Sequence, residues 1–130
     1  MKLFKELKES LKNKEFVIIK PEFIKYKDEI VDYLLKNGLI ISKVLKRTLP
    51  LDKALLLYIP HSDKDFYWEL CKYMSSGDSI GVLLYNPKKV DILKLKDDIR
   101  KVYGKDEMRN AIHSSDSKKN VKREYNIYFS

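Results

Sequence analysis

A layered fold in which helices cover a four-stranded sheet is what this sequence predicts. Four short segments rich in Val, Ile and Leu have the length and character of strands. The stretches between them carry apolar residues at helical spacing and end at Gly or Pro. Strands and helices alternate as β-α-β-α-β-α-β, the order of an α+β or α/β sandwich. A chain of 130 residues, 44% hydrophobic and 35% charged, suits one domain able to bury its own core.

Residues 1–14, MKLFKELKESLKNK, place Leu3, Leu7 and Leu11 on one stripe, which predicts an amphipathic helix standing before a main domain of residues 15–130. The stripe reads as a packing face, and no continuous apolar region marks a signal peptide. EFVIIK (15–20) is a continuous apolar run closed by Pro21, which cannot donate to a ladder, and so predicts a buried strand. Tyr26, Ile30, Tyr33 and Leu34 share one face of a helix over 26–37, with Gly38 as its stop. LIISKVLKRTL (39–49) predicts a second strand ended by Pro50, and LDKALLLY (51–58) a short helix broken at Pro60. Ser62 with Asp65 three residues on resembles a capping box, so the next helix is expected to start there and end at Gly77. SIGVLLY (79–85) is a third strand, and Pro87 opens a helical stretch to about Tyr103. NAIHS (110–114) is a short fourth strand, and Ser117 to Glu124 a last helix.

The net charge of +8 attracts any polyanion, but 23 of the 27 basic residues are lysines scattered without a long run. Arg100, Arg109 and Arg123 fall in the last third, and arginine suits bidentate phosphate binding. Cys71 is the only cysteine, so no intramolecular disulfide forms and a reducing, cytoplasmic setting is expected. No apolar run is long enough to span a bilayer. Neither G-x-x-x-x-G-K-[ST] nor G-x-G-x-x-G occurs, and MSSGDS leads into a strand rather than a helix N-terminus. His61, Cys71 and His113 lack paired-ligand spacing, so no metal site of the protein's own is expected. HSD (61–63) sets Ser, His and Asp side by side, but adjacent residues rarely converge on one point, and a helix cap is the better reading of Ser62.

RNAIHSSDS (109–117) is harder to set aside. About four extended residues after His113 cover roughly 13 Å, and seven helical residues to Glu124 cover roughly 10 Å back, so Glu124 can return beside His113. A carboxylate there fixes the tautomer and orientation of an imidazole. Ser115, two residues on in an extended segment, faces the same side and is placed to bridge to that glutamate. This is the pattern of a histidine nucleophile with its orienting group. On residue chemistry alone, an ordinary strand-end histidine remains the better reading.

NAIHSSDS, followed by Glu124 and YNIYF, resembles the active-site signature of nucleoside diphosphate kinases, whose usual form is N-[IV]-I-H-G-S-D-S. FVIIKPE is similar to that family's first strand and its Lys-Pro-Asp, and KYMSSGDS to the segment that ends its second major helix. The likeness runs in order from about residue 15 to 129. It implies a ferredoxin-like αβ sandwich with a four-stranded antiparallel sheet. It also implies ping-pong transfer of a γ-phosphate from nucleoside triphosphates to diphosphates through a phosphohistidine at His113. Under it, Ser115 and Glu124 orient the imidazole, Lys20 and Arg100 contact phosphate, Tyr58 lies near the γ-phosphate, Phe66 stacks the base and Asn110 contacts the ribose. Mg²⁺ would be held mainly through nucleotide phosphates, and the protein would be a homo-oligomer, a dimer-based tetramer or hexamer.

The resemblance has departures. The loop before Arg100 is shortened, a second phosphate arginine is replaced by Lys94 or Lys96, and Pro60 stands where an aspartate supports the magnesium shell, with Asp63 as a substitute. Ser114 follows the histidine in place of glycine, Glu22 replaces the aspartate of the first motif, and Glu107 sits near an apolar position that packs against the base. A basic nucleic-acid-binding module and a kinase-like scaffold with weak activity are the alternatives. Against the first, SIGVLLY lacks the aromatic pattern that stacks bases on a sheet.

Overall fold

The computed structural model describes residues 13–130, so the expected N-terminal helix lies outside the described residues apart from Asn13 and Lys14. Lys14 already belongs to the first strand. The strands are β1 (Lys14–Ile19), β2 (Ile40–Arg47), β3 (Ser79–Tyr85) and β4 (Ile112–Ser114). The helices are α1 (Lys27–Lys36), α2 (Leu51–Leu57), α3 (Tyr67–Met74), α4 (Ile92–Tyr103) and α5 (Lys118–Tyr128), with 3₁₀ turns at Ile24–Tyr26 and Ile59–His61. The sheet order is β2-β3-β1-β4 and every pairing is antiparallel. That pairing settles the class as α+β, the ferredoxin-like arrangement.

The continuous apolar runs of β1 and β3 follow from their central places. Both faces of these strands are covered, so each successive side chain is buried, Phe16 through Ile19 completely. Val17, Ile19, Ile80, Val82 and Leu84 pack under Ile30 and Leu34 of α1 and Ile92, Leu95 and Ile99 of α4. Phe16, Ile18 and Leu83 face the other way, against Ala54 and Leu57 of α2, Leu70, Cys71 and Met74 of α3, and Val121 and Tyr128 of α5. Among the described residues no helix is long and apolar enough to cross a membrane.

Gly81 is required by the second layer. A Cβ there would stand 2.5 Å from two ring atoms of Tyr128, a fully buried side chain whose hydroxyl bonds Ser79 Oγ at 2.9 Å. The ring is wedged against Phe16 and Phe129 and has nowhere to retreat. Gly81→Ala is expected to cost about 1–3 kcal/mol, seen as a lower Tm in calorimetry.

Three element boundaries differ most from the sequence expectation, each for a local reason. The helix expected from Ser62 starts at Tyr67, because Pro60 opens a 3₁₀ turn and the amides of Ser62, Lys64 and Tyr67 are spent on turns. Ser62 therefore caps nothing. The helix expected from Pro87 starts at Ile92, capped by Asp91, whose carboxylate accepts from the amides of Leu93 and Lys94. Before it, the Asn86 side chain brackets Val90 through two hydrogen bonds of 2.9 and 3.0 Å and closes Asn86–Asp91 into a compact connection. Finally, α5 continues past Glu124 to Tyr128, because Val121, Glu124 and Tyr128 all lie on its buried face.

Candidate active site

β4 pairs with β1 so that Ile18 is opposite His113, which turns the imidazole toward the layer of α2, α3 and α5. Ser117 caps α5 by accepting from the amide of Asn120, and two turns later Glu124 comes back against His113. The Glu124 carboxylate is almost fully buried and its Oε1 is hydrogen-bonded to His113 Nε2. A carboxylate only accepts, so Nε2 carries the ring proton and Nδ1 keeps its lone pair.

Arg123 fixes the far side of this carboxylate. Its Nη2 lies 3.7 Å from Glu124 Oε2, while the guanidinium donates to the carbonyls of Leu56 at 2.9 Å and Leu57 at 3.2 Å. Those carbonyls end α2, where a cation is favoured. Arg123 thereby ties α5 to the end of α2, next to Tyr58. Arg123→Met removes both bonds and is expected to cost about 1–3 kcal/mol, read as a lower urea midpoint at unchanged slope.

His113 opens onto a cleft of about 910 Å³. Lys20, Tyr58, Phe66, Arg100, Asn110 and Glu124 line it with His113, so the structure brings most of the sequence-derived site residues together. Lys20 follows β1 and is 3% exposed, its Nζ donating to the Met108 carbonyl at 3.1 Å. Burial first, then the nearby Arg100 and Lys96, hold its amine down to about 7. Arg100, on α4, donates through Nε and Nη2 to the Ile112 carbonyl at 3.1 and 2.9 Å, which locks the guanidinium beside β4. Burial lowers its pKa, but an arginine stays charged regardless.

Tyr58 caps the C-terminus of α2 with its ring edge-on to His113, centroids 5.3 Å apart. Its buried hydroxyl is held protonated, pushed up by burial and by the Glu124 charge. Phe66 stands half-exposed at the start of α3, with Lys64 Nζ 5.7 Å from its ring centroid. Asn110 donates to the Glu107 carbonyl at 2.7 Å, and its Oδ1 is buried without a partner among the described residues.

Three sequence-derived positions are placed differently. Lys94 is exposed and does not line the cleft; Lys96, one turn before Arg100 on the same face of α4, does. Ser115 is 2% exposed but does not bridge to Glu124, and its Oγ has no partner among the described residues. Its amide continues the ladder by donating to Phe16 O at 2.9 Å, while β4 ends at Ser114, so the alternation that would set Ser115 beside His113 stops. Asp63 does not line the cleft either, whereas Pro60, Asp116 and Glu107 do. Sequence reasoning missed His61 and Arg123 as cleft residues. Adjacency to Glu124 was the available signal for Arg123, and the one-turn spacing from Tyr58 that for His61.

The likeness to known proteins agrees with this geometry. The nucleoside diphosphate kinase family model matches residues 13–130. The nucleoside diphosphate kinase of Methanosphaera stadtmanae is 31% identical over 136 residues, covering 92% of this chain and 87% of that protein. That of Kosmotoga olearia is 32% identical over 129 residues, covering 88% and 86%. A crystal structure of the Aquifex aeolicus nucleoside diphosphate kinase superposes with a TM-score of 0.80 at 26% identity, over 91% of this chain and 95% of that one. With a family match over 118 of its 130 residues and the fold and cleft described above, the chain belongs to the nucleoside diphosphate kinase family.

Proposed function

We propose that this protein is a nucleoside diphosphate kinase that moves the γ-phosphate of a nucleoside triphosphate to a nucleoside diphosphate by way of phospho-His113. The observation that carries the reading is the His113–Glu124 pair in a cleft that Lys20, Lys96 and Arg100 also line: the hydrogen bond to Glu124 engages Nε2, and Nδ1 is left to attack. The Nδ1 lone pair forms a bond to the γ-phosphorus as the bond to the β–γ bridging oxygen breaks, and the diphosphate leaves with that electron pair. A β-phosphate oxygen of the second nucleotide then attacks phosphorus, the P–N bond breaks and the lone pair returns to Nδ1. Glu124 stabilises the imidazole as it gains positive character. Lys20, Arg100 and Lys96 offset charge on the phosphoryl oxygens, and Phe66 offers a face on which any base can stack.

Mg²⁺ is proposed to enter as part of the substrate, carried on the nucleotide phosphates. The buried Tyr58 hydroxyl, His61 Nδ1 and Asn110 Oδ1 have no partners among the described residues, a concentration of polar atoms that suits a polar ligand in this cleft. The protein is also proposed to assemble from copies of itself. The edge strand β2 leaves Ile40, Ile41 and Val44 exposed at 52%, 38% and 46%, and light scattering reads the assembly. A free, buried Cys71 suits the reducing cytoplasm. A nucleic-acid module that stacks bases on its sheet is disfavoured, since helices cover both faces.

The test is incubation with γ-labelled ATP and Mg²⁺. An acid-labile, alkali-stable phosphoprotein that a nucleoside diphosphate discharges is expected; no adduct overturns the mechanism, and an adduct that diphosphates do not discharge points to a scaffold without turnover. Glu124→Ala is expected to lower kcat about 100-fold with KM changed less than about threefold, because it acts on imidazole orientation.

A further inference from the structure

Stacking on Phe66 does not tell one base from another, so discrimination needs a polar group that reaches the edge of the base. Five carboxylates line the cleft, and three of them are already engaged. Glu124 is bound to His113, Asp106 to Arg109, and Asp116 accepts from Asn120 Nδ2 at 2.6 Å. The side-chain oxygens of Glu69 and Glu107, both exposed, have no hydrogen bond or ion pair among the described residues. Glu69 lies on α3 one turn past Phe66 and flanks the ring on the same helix. Glu107 comes from a different wall, the turn before β4.

That turn is tightly bonded. The amides of Met108 and Arg109 both donate to Asp106 Oδ1, at 3.0 and 2.6 Å, and Arg109 Nε donates to Asp106 Oδ2 at 2.9 Å. The Arg109 carbonyl accepts in return from the amide of Lys105 at 2.7 Å, and the Met108 carbonyl accepts from Lys20 Nζ. Asn110 Nδ2 closes the turn by donating to the Glu107 carbonyl at 2.7 Å. Glu107 and Asn110, the side chain expected at the sugar, are thus fixed relative to each other. A base joined to that sugar and stacked on Phe66 comes within reach of Glu107, whose backbone needs no ordering when a nucleotide binds.

We propose that Glu107 makes this protein prefer guanine nucleotides, its two carboxylate oxygens accepting from N1–H and N2–H of the base, a role that rests on the nucleotide reading of this cleft. A carboxylate only accepts, and it takes two parallel donors at once. Guanine is the common base whose edge carries two adjacent N–H donors. Adenine and cytosine offer one amino group beside a ring nitrogen that accepts, and uracil offers one N–H between two carbonyl oxygens. With any of these three, one carboxylate oxygen bonds and the other faces an acceptor that repels it.

The experiment measures GDP and IDP affinity by calorimetry, with Mg²⁺ present, for wild type, Glu107→Val, Glu107→Gln and Glu69→Gln. Inosine differs from guanosine only in lacking the N2 amino group, so the ratio of the two affinities isolates that donor. Wild type is expected to bind GDP about 5- to 10-fold more tightly than IDP, with acceptor KM following the same ratio and kcat within about twofold. Glu107→Val is expected to bring the ratio below about twofold, and Glu107→Gln, which keeps one acceptor, below about threefold. Glu69→Gln is expected to leave the ratio as in wild type. Equal binding of GDP and IDP by wild type, a full ratio in either folded Glu107 variant, or a ratio lost in Glu69→Gln would each overturn the proposal. Binding needs no transfer, so a wild type without a phosphoenzyme sinks the kinase mechanism separately, and a wild type that binds neither diphosphate sinks both.

Discussion

Alanine at position 113 is expected to abolish the acid-labile phosphoprotein and to lower phosphoryl transfer by about 10⁴-fold or more, while ADP affinity changes less than about threefold. The asymmetry follows from where the parts sit. Lys20 directly follows β1, Arg100 lies on α4, Phe66 directly precedes α3 and Asn110 lies in the segment before β4, and none takes its place from the imidazole. Arg100 is held by the Ile112 carbonyl and Lys20 by the Met108 carbonyl, so the binding walls survive the substitution. Lost is the imidazole of the cleft whose Nε2 is already engaged by Glu124 and whose Nδ1 is left free to attack. The Glu124 carboxylate also loses its hydrogen-bonded neighbour and keeps only Arg123 at 3.7 Å, so the variant is expected to be less stable by about 1–3 kcal/mol. A His113→Ala protein that still takes label from ATP would place the phosphoacceptor elsewhere. Urea denaturation alongside the labelling keeps loss of chemistry apart from loss of fold.

Much of this arrangement was legible because it rests on periodicity and chain length. The apolar runs of β1 and β3 announced strands, the first of them buried, and the return of Glu124 to His113 followed from the rise of a strand and of a helix. Lys96 was legible too, once α4 is seen as one helix through Arg100: four residues apart share a face, and Lys94, six apart, does not. What could not be read depends on competition between neighbours. Ser62 and Asp65 have the spacing of a cap, but Pro60 commits the amides around them to turns before a helix can start. Ser115 has the spacing to face Glu124, but Ala111 at φ +82° and the end of β4 at Ser114 limit the extended stretch to three residues. His61 and Arg123 become visible only through partners distant in sequence, such as the carbonyls of Leu56 and Leu57, which no local pattern encodes.

Methionine at position 20 is expected to slow transfer about 10³-fold and yet stabilise the protein at pH 6. Lys20 is buried with one hydrogen bond, beside Arg100 and Lys96, and its amine is held down to about 7 from an ordinary 10.5. Between those two values the unfolded chain keeps the lysine proton and the folded one does not, so wild-type stability rises with pH across that window. Below about pH 7 both states are protonated and the whole penalty stands, on the order of 4 kcal/mol. Methionine matches the length of the side chain without the charge, and the lost bond to Met108 O returns only about 1 kcal/mol of that gain. The stability difference between Lys20→Met and wild type, from urea midpoints, should therefore be largest at pH 6 and nearly vanish by pH 10. A difference that stays constant with pH would mean that Lys20 keeps its proton in the fold at no cost. Phosphate oxygens in the cleft supply the charge that Lys20 lacks, so saturating ADP should stabilise wild type more than the variant and narrow the gap at pH 6. The fold thus holds an amine where water cannot screen it, and the nucleotide completes the pair.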